Sequence, residues 1–545
     1  MKLVTNPQMH LIEEEANDNG LPYEKMMENA GYNLSREVLR LAYAHDEDEE
    51  ETQVLGLVGP GNNGGDTLVA LTRLAEKGWI ARAYLVHRKM TGDVLIKNLE
   101  EAEGEVYQSE KDGNFQQLQA FLESADVVLD GVLGTGFKLP LKGDVGSVLA
   151  AAQGIVAEME WPPYIIAVDC PSGIDSDSGE AAPQTIPADA TVTMAAVKQG
   201  LLKLPAYDLI GELRVVEIGQ LSDLKTWQAI QNEVADNGMA LALLPARPTD
   251  SHKGTFGTAL IVAGSVNYTG AAWLSGQAAY RIGAGLVTLA IPASLHGTLA
   301  GQFPEATWVL LPHEMGVISS AAAAVLIKNI ERATALLIGP GLGLEDTTKE
   351  FIANLLNGLS EKPAHARMGF VQSGGTKPEQ KGITLPPLVF DADGLKLLAK
   401  ITDWPKLLPA PAILTPHPGE MAALTGMAIE DIQKDRLNVA RKYAQEWGHV
   451  VVLKGAFTVI ASPDGRTTTI PVATPALARA GTGDVLAGLI TGLRAQGVEA
   501  YDAARTAAWI HAQAGLNAAD YHGGTAAVMA GDVLDAVPDV IADME

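Results

Sequence analysis

The sequence predicts two α/β domains in tandem, an N-terminal doubly wound one and a second α/β domain on a similar plan. Three observations predict it. Short apolar runs alternate with helical patterns in both halves, the signature of strands joined through helices into a mainly parallel sheet. Many of those runs end in loops of Gly, Asn, Asp or Ser, and in such a sheet these loops converge on one crevice. At 545 residues the chain exceeds one ordinary domain. Residues 221–248 show no strong period beyond a short helix and close on Pro245-Ala-Arg-Pro248. The expected domains are therefore 1–222 and 223–545. No repeat of solenoid period appears.

Composition narrows the function classes. Hydrophobic residues make up 47% and glycines number 56, enough for sizeable cores and many tight turns. Lys+Arg 39 against Asp+Glu 66 gives a net charge of −27, which argues against nucleic acid or an anionic membrane as partner. A phosphate site must then rest on backbone amides and a few placed cations. One cysteine, Cys170, excludes an intramolecular disulfide and a thiolate metal cluster; it is expected to be a small buried filler. No apolar core of a signal peptide and no run of spanning length appears, so a cytoplasmic protein is expected.

In the first half, residues 17–44 carry apolar positions at helical spacing, and the acidic run 46–51 is a solvated loop. Residues 54–58 form a buried-strand pattern, followed by Gly59-Pro-Gly-Asn-Asn-Gly-Gly-Asp66 and a helix over 67–77. Strand, glycine-rich loop and helix set backbone amides and a helix N-terminus against a phosphate, although the spacing is not the GxGxxG fingerprint. Asn62 and Asn63 add carbonyl oxygens and amide donors. Further strands are expected at 80–86, 126–130, 164–169, 191–195 and 213–218, with a helix at 114–123. The strand ending at Asp130 runs into Gly131-Val-Leu-Gly134-Thr-Gly136-Phe-Lys138, and the one ending at Asp169 into Cys170-Pro-Ser172-Gly173. Asp130 and Asp169 would sit on the crevice rim, unless each is a turn or cap aspartate.

GPGNNGGD, DGVLGTG and VDCPSGID, in that order, resemble the N-terminal epimerase domain of the bifunctional NAD(P)H-hydrate repair enzymes. Those enzymes act on NADH or NADPH hydrated at C6 of the nicotinamide ring. The resemblance covers about residues 1–220 and implies a Rossmann-like fold that interconverts the R and S hydrates. It implies hydrate binding by Asn62, Asn63, Gly64, Gly65, Asp66, Gly134, Thr135, Gly136, Phe137, Lys138, Leu139 and Pro140. It further implies that Asp169 is catalytic at the nicotinamide end, and that Asn63, Asp130 and Ser172 hold K+. Thr67 stands where the family usually has glycine; it either crowds the loop or starts the helix.

In the second half, strands are expected at 258–263, 285–291, 335–338, 388–390, 412–414 and 450–453, with a hairpin over 459–472 around Asp464-Gly465. Helices are expected at 271–282 and, last, 501–519. Residues 360–387, rich in Gly, Pro, Lys and Gln, form a surface insertion. The most telling stretch is Ala-Gly-Thr-Gly-Asp-Val-Leu-Ala-Gly at 480–488. Gly481 and Gly483 free consecutive N–H groups to point at one anion, with a helix N-terminus behind them. Asp484 beside that hole is a poor phosphate ligand but a good proton acceptor for a hydroxyl about to meet a phosphate; the plain alternative is a helix N-cap. Lys454 meets a phosphate as a point charge or caps an element. His417, between two prolines, is a ligand or a surface residue. Asp391 and Asp393 hold substrate or magnesium, or are caps.

HKGTFG, GPGLG, FDADGL, TPHPGE, KGAFT and AGTGDVLAG match, in order over about 245–535, the ribokinase-like dehydratase domain of the same family. The resemblance implies ADP- or ATP-dependent dehydration of the S hydrate through a phosphorylated intermediate, with ADP expected and Mg2+ accompanying it. It places the hydrate on Ala271, Gly341, His417 and Asp484, with Asp484 as base, and ADP on Lys454, Gly455, Ala456, Phe457, Thr458 and Gly483. Phosphorylation turns hydroxide into a good leaving group, and positioning and charge do the rest. A homo-oligomer acting on NADH and NADPH hydrates is expected. The competing reading is a ribokinase-like small-molecule kinase with a nucleotide-binding regulatory N-terminal domain; a first domain that only binds is a further one.

Overall fold

The computed structural model describes residues 1–43, 52–357 and 385–544. The acidic run 46–51 lies outside them, as does all of the expected insertion except 385–387, where Leu385 is buried. The chain divides into two compact units, Met1–Asn232 and Glu233–Glu545. The division falls later than 222/223 because Lys225–Gln228 packs on the first helix, where the Glu15 carboxylate accepts from the Lys225 and Thr226 N–H groups. Ile230 also belongs to the first core.

Among the described residues the main sheet of the first unit has seven parallel strands, β1 Gln53–Val58, β2 Ile80–Leu85, β3 Glu105–Gln108, β4 Val127–Gly131, β5 Tyr164–Val168, β6 Ala190–Met194 and β7 Glu212–Val216, and the short segments Leu3–Val4 and Val197–Lys198 pair beside it. The order of the seven is β3-β2-β1-β4-β5-β6-β7, every pair parallel. The order reverses between β1 and β4, so the loops after these two strands flank the crevice where ligands bind in such sheets. Along β1, Val54 and Val58 face one core and Leu55 and Leu57 the other, as period-two alternation in a sheet covered on both faces requires.

Two expectations need correction here. The single helix over 17–44 is two, Asn6–Asp18 and Tyr23–Tyr43. The first starts on a capping box in which the Thr5 hydroxyl accepts from Gln8 N–H and the Gln8 side chain accepts from Thr5 N–H. It stops before Gly20, whose φ of +93° no helix continues. Residues 62–66 are not loop but the opening of the helix Asn62–Ala75. The helices Val94–Glu101 and Gly143–Glu158 and strand β3 carried no sequence expectation.

The second unit holds one ten-stranded sheet. Its strands are β8 Asn232–Val234, β9 Thr258–Val262, β10 Leu286–Pro292, β11 Thr307–Leu311, β12 Ala335–Ile338, β13 Leu388–Phe390, β14 Ile413–Leu414, β15 Val450–Leu453, β16 Val459–Ala461 and β17 Thr467–Thr469. They run in the order β8-β17-β16-β15-β14-β13-β12-β9-β10-β11. The seven strands from β15 to β11 are parallel, and β15, β16 and β17 are antiparallel, with the expected hairpin at Gly465. The direction of progression reverses between β9 and β12. Helix Ala500–Tyr521 is followed by another, Ala530–Met544, so the expected last helix is not the last.

Candidate active sites

In the first unit the loops after β1, β4, β5 and β6 meet around a cleft of about 500 Å3. Asn62, Asn63, Asp66, Gly134, Thr135, Gly136, Phe137 and Asp169 line it. Gly64 and Gly65 do not; Gly64 lies against the Gly59 backbone and Gly65 against Met27. These glycines permit close packing of helix on loop and helix, not a phosphate-wrapping turn. Lys138, Leu139 and Pro140 line an adjoining groove of about 390 Å3, which shares Leu133 and Phe137 with the cleft.

Asp169 follows β5 with a φ of +67°, a left-handed conformation that costs a non-glycine residue energy and clusters at functional sites. Its carboxylate is buried and pairs with Lys198, itself 1% exposed. Asp169 Oδ1 also accepts from Thr193 Oγ1 at 3.0 Å and Met194 N–H at 2.9 Å. Lys198 donates further to Met194 O at 2.9 Å. His10 and Glu13 from the first helix complete the wall. Burial, then the nearby Asp169 and Glu13 carboxylates, push the Asp66 carboxyl well above its ordinary value. Burial raises Glu13 as well, and Lys198 opposes the rise. Lys198, Glu13 and His10 were missed from sequence; no local pattern marks them.

Asn63, Asp130 and Ser172 do come together. Asn63 Nδ2 donates to Val168 O at 2.6 Å and Leu133 O at 3.2 Å, while Ser172 Oγ accepts from Leu133 N–H at 2.9 Å and donates to Asp130 Oδ1 at 2.5 Å. Because Asn63 donates through its nitrogen, its amide oxygen is left as an acceptor, facing Gly134. One amide oxygen, one carboxylate and one hydroxyl form an oxygen set of low charge, which fits a monovalent cation. Among the described residues no group of three or more His, Cys, Asp or Glu could hold a metal ion.

Thr67 does not crowd the cleft. It lies within the helix, fully buried, its hydroxyl donating to Asn63 O at 2.7 Å and its methyl facing Gly56. Gly131 has no room for a Cβ because the Thr67 hydroxyl fills it. Cys170 is buried, as expected, and burial pushes its thiol up.

In the second unit, the ends of β13, β14 and β15 and the helix Thr482–Ala495 converge. Gly481 is its N-cap at φ +93°, with no side-chain cap. Asp484 therefore sits in the first turn and does not cap, contrary to that alternative. Burial first, then Asp391, push its carboxyl up to about 7, and Lys454 opposes the rise. The Lys454 ammonium sits beside Gly483 and pairs with Asp391 Oδ1 at 2.5 Å and Glu420 Oε2 at 3.9 Å. Burial alone would lower Lys454, but Asp391 and Glu420 hold it above its ordinary value. Asp391 is 1% exposed, Thr415 donates to its Oδ1 at 2.6 Å, and its Oδ2 is buried with no hydrogen bond. That orphaned oxygen fits a divalent cation arriving with a nucleotide. Asp393 instead accepts from Gly343 N–H and Lys396.

His417 is neither a bare surface residue nor a free ligand. It caps the helix Pro418–Thr425, with Nδ1 accepting from Gly419 and Glu420 N–H groups at 3.0 and 3.3 Å. Its other ring nitrogen lies 3.3 Å from Glu420 Oε1. Burial lowers its pKa, keeping the ring neutral. Ala271 and Gly341 touch at the β9/β12 reversal. The turn at residues 454–458 is held from beneath by Arg436, which donates to Leu453 O at 2.7 Å and lies beside Gly455. Behind the Gly481 turn, His511 Nε2 lies 2.9 Å from Thr482 O, and burial pushes its pKa down to about 4. Arg436 and His511 left no sequence signal.

Residues 259–363 and 378–538 match the family described as NAD(P)H-hydrate dehydratase, and residues 23–200 the family described as YjeF-related protein N-terminus. The chain is 35% identical over 553 residues to the bifunctional NAD(P)H-hydrate repair enzyme Nnr of Moorella thermoacetica, covering 100% of this chain and 97% of that one. The chain belongs to the bifunctional NAD(P)H-hydrate repair enzyme family. The Escherichia coli K12 member is 31% identical, covering 97% of this chain and 91% of its own length. A Bacillus subtilis ADP/ATP-dependent NAD(P)H-hydrate dehydratase, co-crystallised with ATP/Mg2+, is 30% identical, with a TM-score of 0.45. That match covers 58% of this chain and 100% of the solved one. Both repair domains of the family thus lie on this chain, in the order the motifs gave.

Proposed function

We propose that this chain repairs hydrated NADH and NADPH, its first unit interconverting the R and S hydrates and its second dehydrating the S hydrate with ADP. The observation that carries this reading is the pairing of a full-length family match with two separate acid–base centres, Asp169 with Lys198 and Asp484 with Lys454.

The hydrate carries a hydroxyl on C6, next to the ring nitrogen. In the first unit Asp66, kept protonated by burial, gives its proton to that hydroxyl. Water leaves as the nitrogen lone pair forms a C6 iminium. The Asp169 carboxylate, fixed by Lys198, Thr193 and the Met194 N–H, stabilises that cation and takes a proton from water adding to the other face. Asn63, Asp130 and Ser172 would hold K+, which would supply a fixed positive charge to the cleft.

In the second unit Asp484 takes the C6 hydroxyl proton, and the oxygen attacks the terminal phosphorus of ADP, releasing AMP. The N–H groups of the Gly481–Gly483 turn and Lys454 meet the developing charge. The phosphorylated oxygen leaves C6 as phosphate, and a proton lost from C5 restores the dihydronicotinamide ring. Asp391 would hold Mg2+, which neutralises phosphate charge. Ala271, Gly341 and the neutral His417 wall the ring, and residues 454–458 seat the adenine nucleotide. Among the described residues no helix is long and apolar enough to cross a membrane.

The test is Asp169→Asn, followed by chromatography that resolves the epimers. Loss of R-to-S conversion with S-hydrate dehydration intact supports the assignment. Unchanged conversion overturns Asp169 as the epimerising group. Stable phosphorylation of a sugar or vitamin alcohol, with no hydrate turnover, would favour the kinase reading instead.

A further inference from the structure

We infer that a cavity beside the Gly481 turn, which no predicted site residue occupies, seats the adenosine diphosphate half of the hydrated dinucleotide while its nicotinamide ring lies at Asp484. This rests on the dehydratase reading above. The cavity measures about 820 Å3, within the range that small-molecule sites take. Thr269, Trp273, Leu274, Arg479, Ala480 and Met529 are among its walls.

Two of its walls are shared with the ring site. Thr269 and Gly270 run directly into Ala271, which touches Gly341. On the other side, Ala480 leads into Gly481, against which Leu274 and Ala530 pack. A ligand with its ring at Ala271 and Asp484 therefore has a continuous surface into the cavity. The ADP that drives the reaction has no claim on this space. Its residues 454–458 follow β15, and β14, β13 and β12 separate β15 from β9, the strand that leads to Thr269. A hydrated dinucleotide is too long for the ring site alone, so its second nucleotide needs a seat on this side.

The chemistry of the walls suits that half. None of the residues lining the cavity is acidic, although the chain carries 66 Asp and Glu. Its charged residue is Arg479, exposed at the rim and donating to Ala526 O across the cavity. A guanidinium has five N–H donors, so Arg479 retains others for a pyrophosphate. Trp273 is half-buried in the wall, its Nε1–H directed at Gln302 O at 3.5 Å, and its indole face can stack on a purine.

The experiment compares two S hydrates on the full-length chain, that of NADH and that of reduced nicotinamide mononucleotide, which lacks the adenylate. In Trp273→Ala and Arg479→Gln the KM for the NADH hydrate should rise about tenfold, the scale of lost base–aromatic stacking. Turnover of the mononucleotide hydrate should stay at the wild-type level, which also certifies the fold of each variant. Equal effects on both substrates, or an unchanged KM for the NADH hydrate, overturn the inference. So does a fall in oligomer mass with KM unchanged, which would make the cavity the seat of a second copy. Wild-type chain inactive on both hydrates would instead remove the dehydratase reading itself.

Discussion

Asp484→Asn should make the second unit more stable and the enzyme almost inactive. The carboxyl is raised from 3.8 to about 7, by burial first and then by Asp391. At about 1.4 kcal/mol per pH unit, keeping it ionised in the folded state costs about 4 kcal/mol, and screening at the cleft mouth brings this to about 2–4 kcal/mol. Because the folded value lies above the unfolded one, the stability that goes with the protonated carboxyl is fully present below the unfolded value of 3.8. It is lost as pH rises to about 7, after which the loss is complete. The asparagine variant cannot ionise and escapes the loss. Gly481, not Asp484, is the N-cap, so no cap is forfeited. Hydrogen exchange of the buried amides in the helix Thr482–Ala495, measured for both proteins at acid and alkaline pH, reads the difference. The variant should gain on the wild type as pH rises through about 7, while dehydration falls about 10²–10⁴-fold. A stability gap independent of pH, or near-normal turnover, would refute the argument.

The two reactions should lose activity in opposite directions. Dehydration needs ionised Asp484, so its kcat/KM falls as pH drops below about 7. Epimerisation needs protonated Asp66, so it falls as pH climbs through that group's raised value, and Asp66→Asn should abolish epimerisation without touching dehydration. Lys198→Met leaves Asp169 buried without its cation. Thermal unfolding should show a loss of about 3–5 kcal/mol in the first unit, and epimerisation should fail. Thr67→Gly should cost about 2 kcal/mol through helix propensity and a cavity between β1 and β4. Thr67→Val should cost about 1 kcal/mol for the lost bond to Asn63 O, with epimerisation kept in both.

What the sequence made legible was local. Strands buried on both faces appear as apolar runs, and the loops at the first cleft begin where such a run meets Gly or Asp, as at Val58, Asp130 and Val168, while in the second unit the run ending at Leu453 meets Lys454. What stayed hidden arises from contacts distant in sequence. Lys198 meets Asp169 because Leu3–Val4 pairs with Val197–Lys198, a register no window along the chain reveals. The same pairing brings the first helix, with His10 and Glu13, to the cleft. The Asn62–Asp66 segment looked like a loop because glycine is read as a breaker, yet Gly64 and Gly65 serve close packing inside a helix. His417 did carry a local signal: His417 at the N-cap and Glu420 three residues on form a capping box, with Pro418 at the first helical position between them.

The central claim is two consecutive repairs on one chain. It is met most directly by the return of dihydronicotinamide absorbance from a mixed R and S NADH hydrate, supplied with ADP, Mg2+ and K+. The account predicts full recovery of both epimers, faster than they interconvert unaided. Recovery that stops at the S fraction would contradict an active first unit, and no recovery with ADP or ATP would contradict the account as a whole.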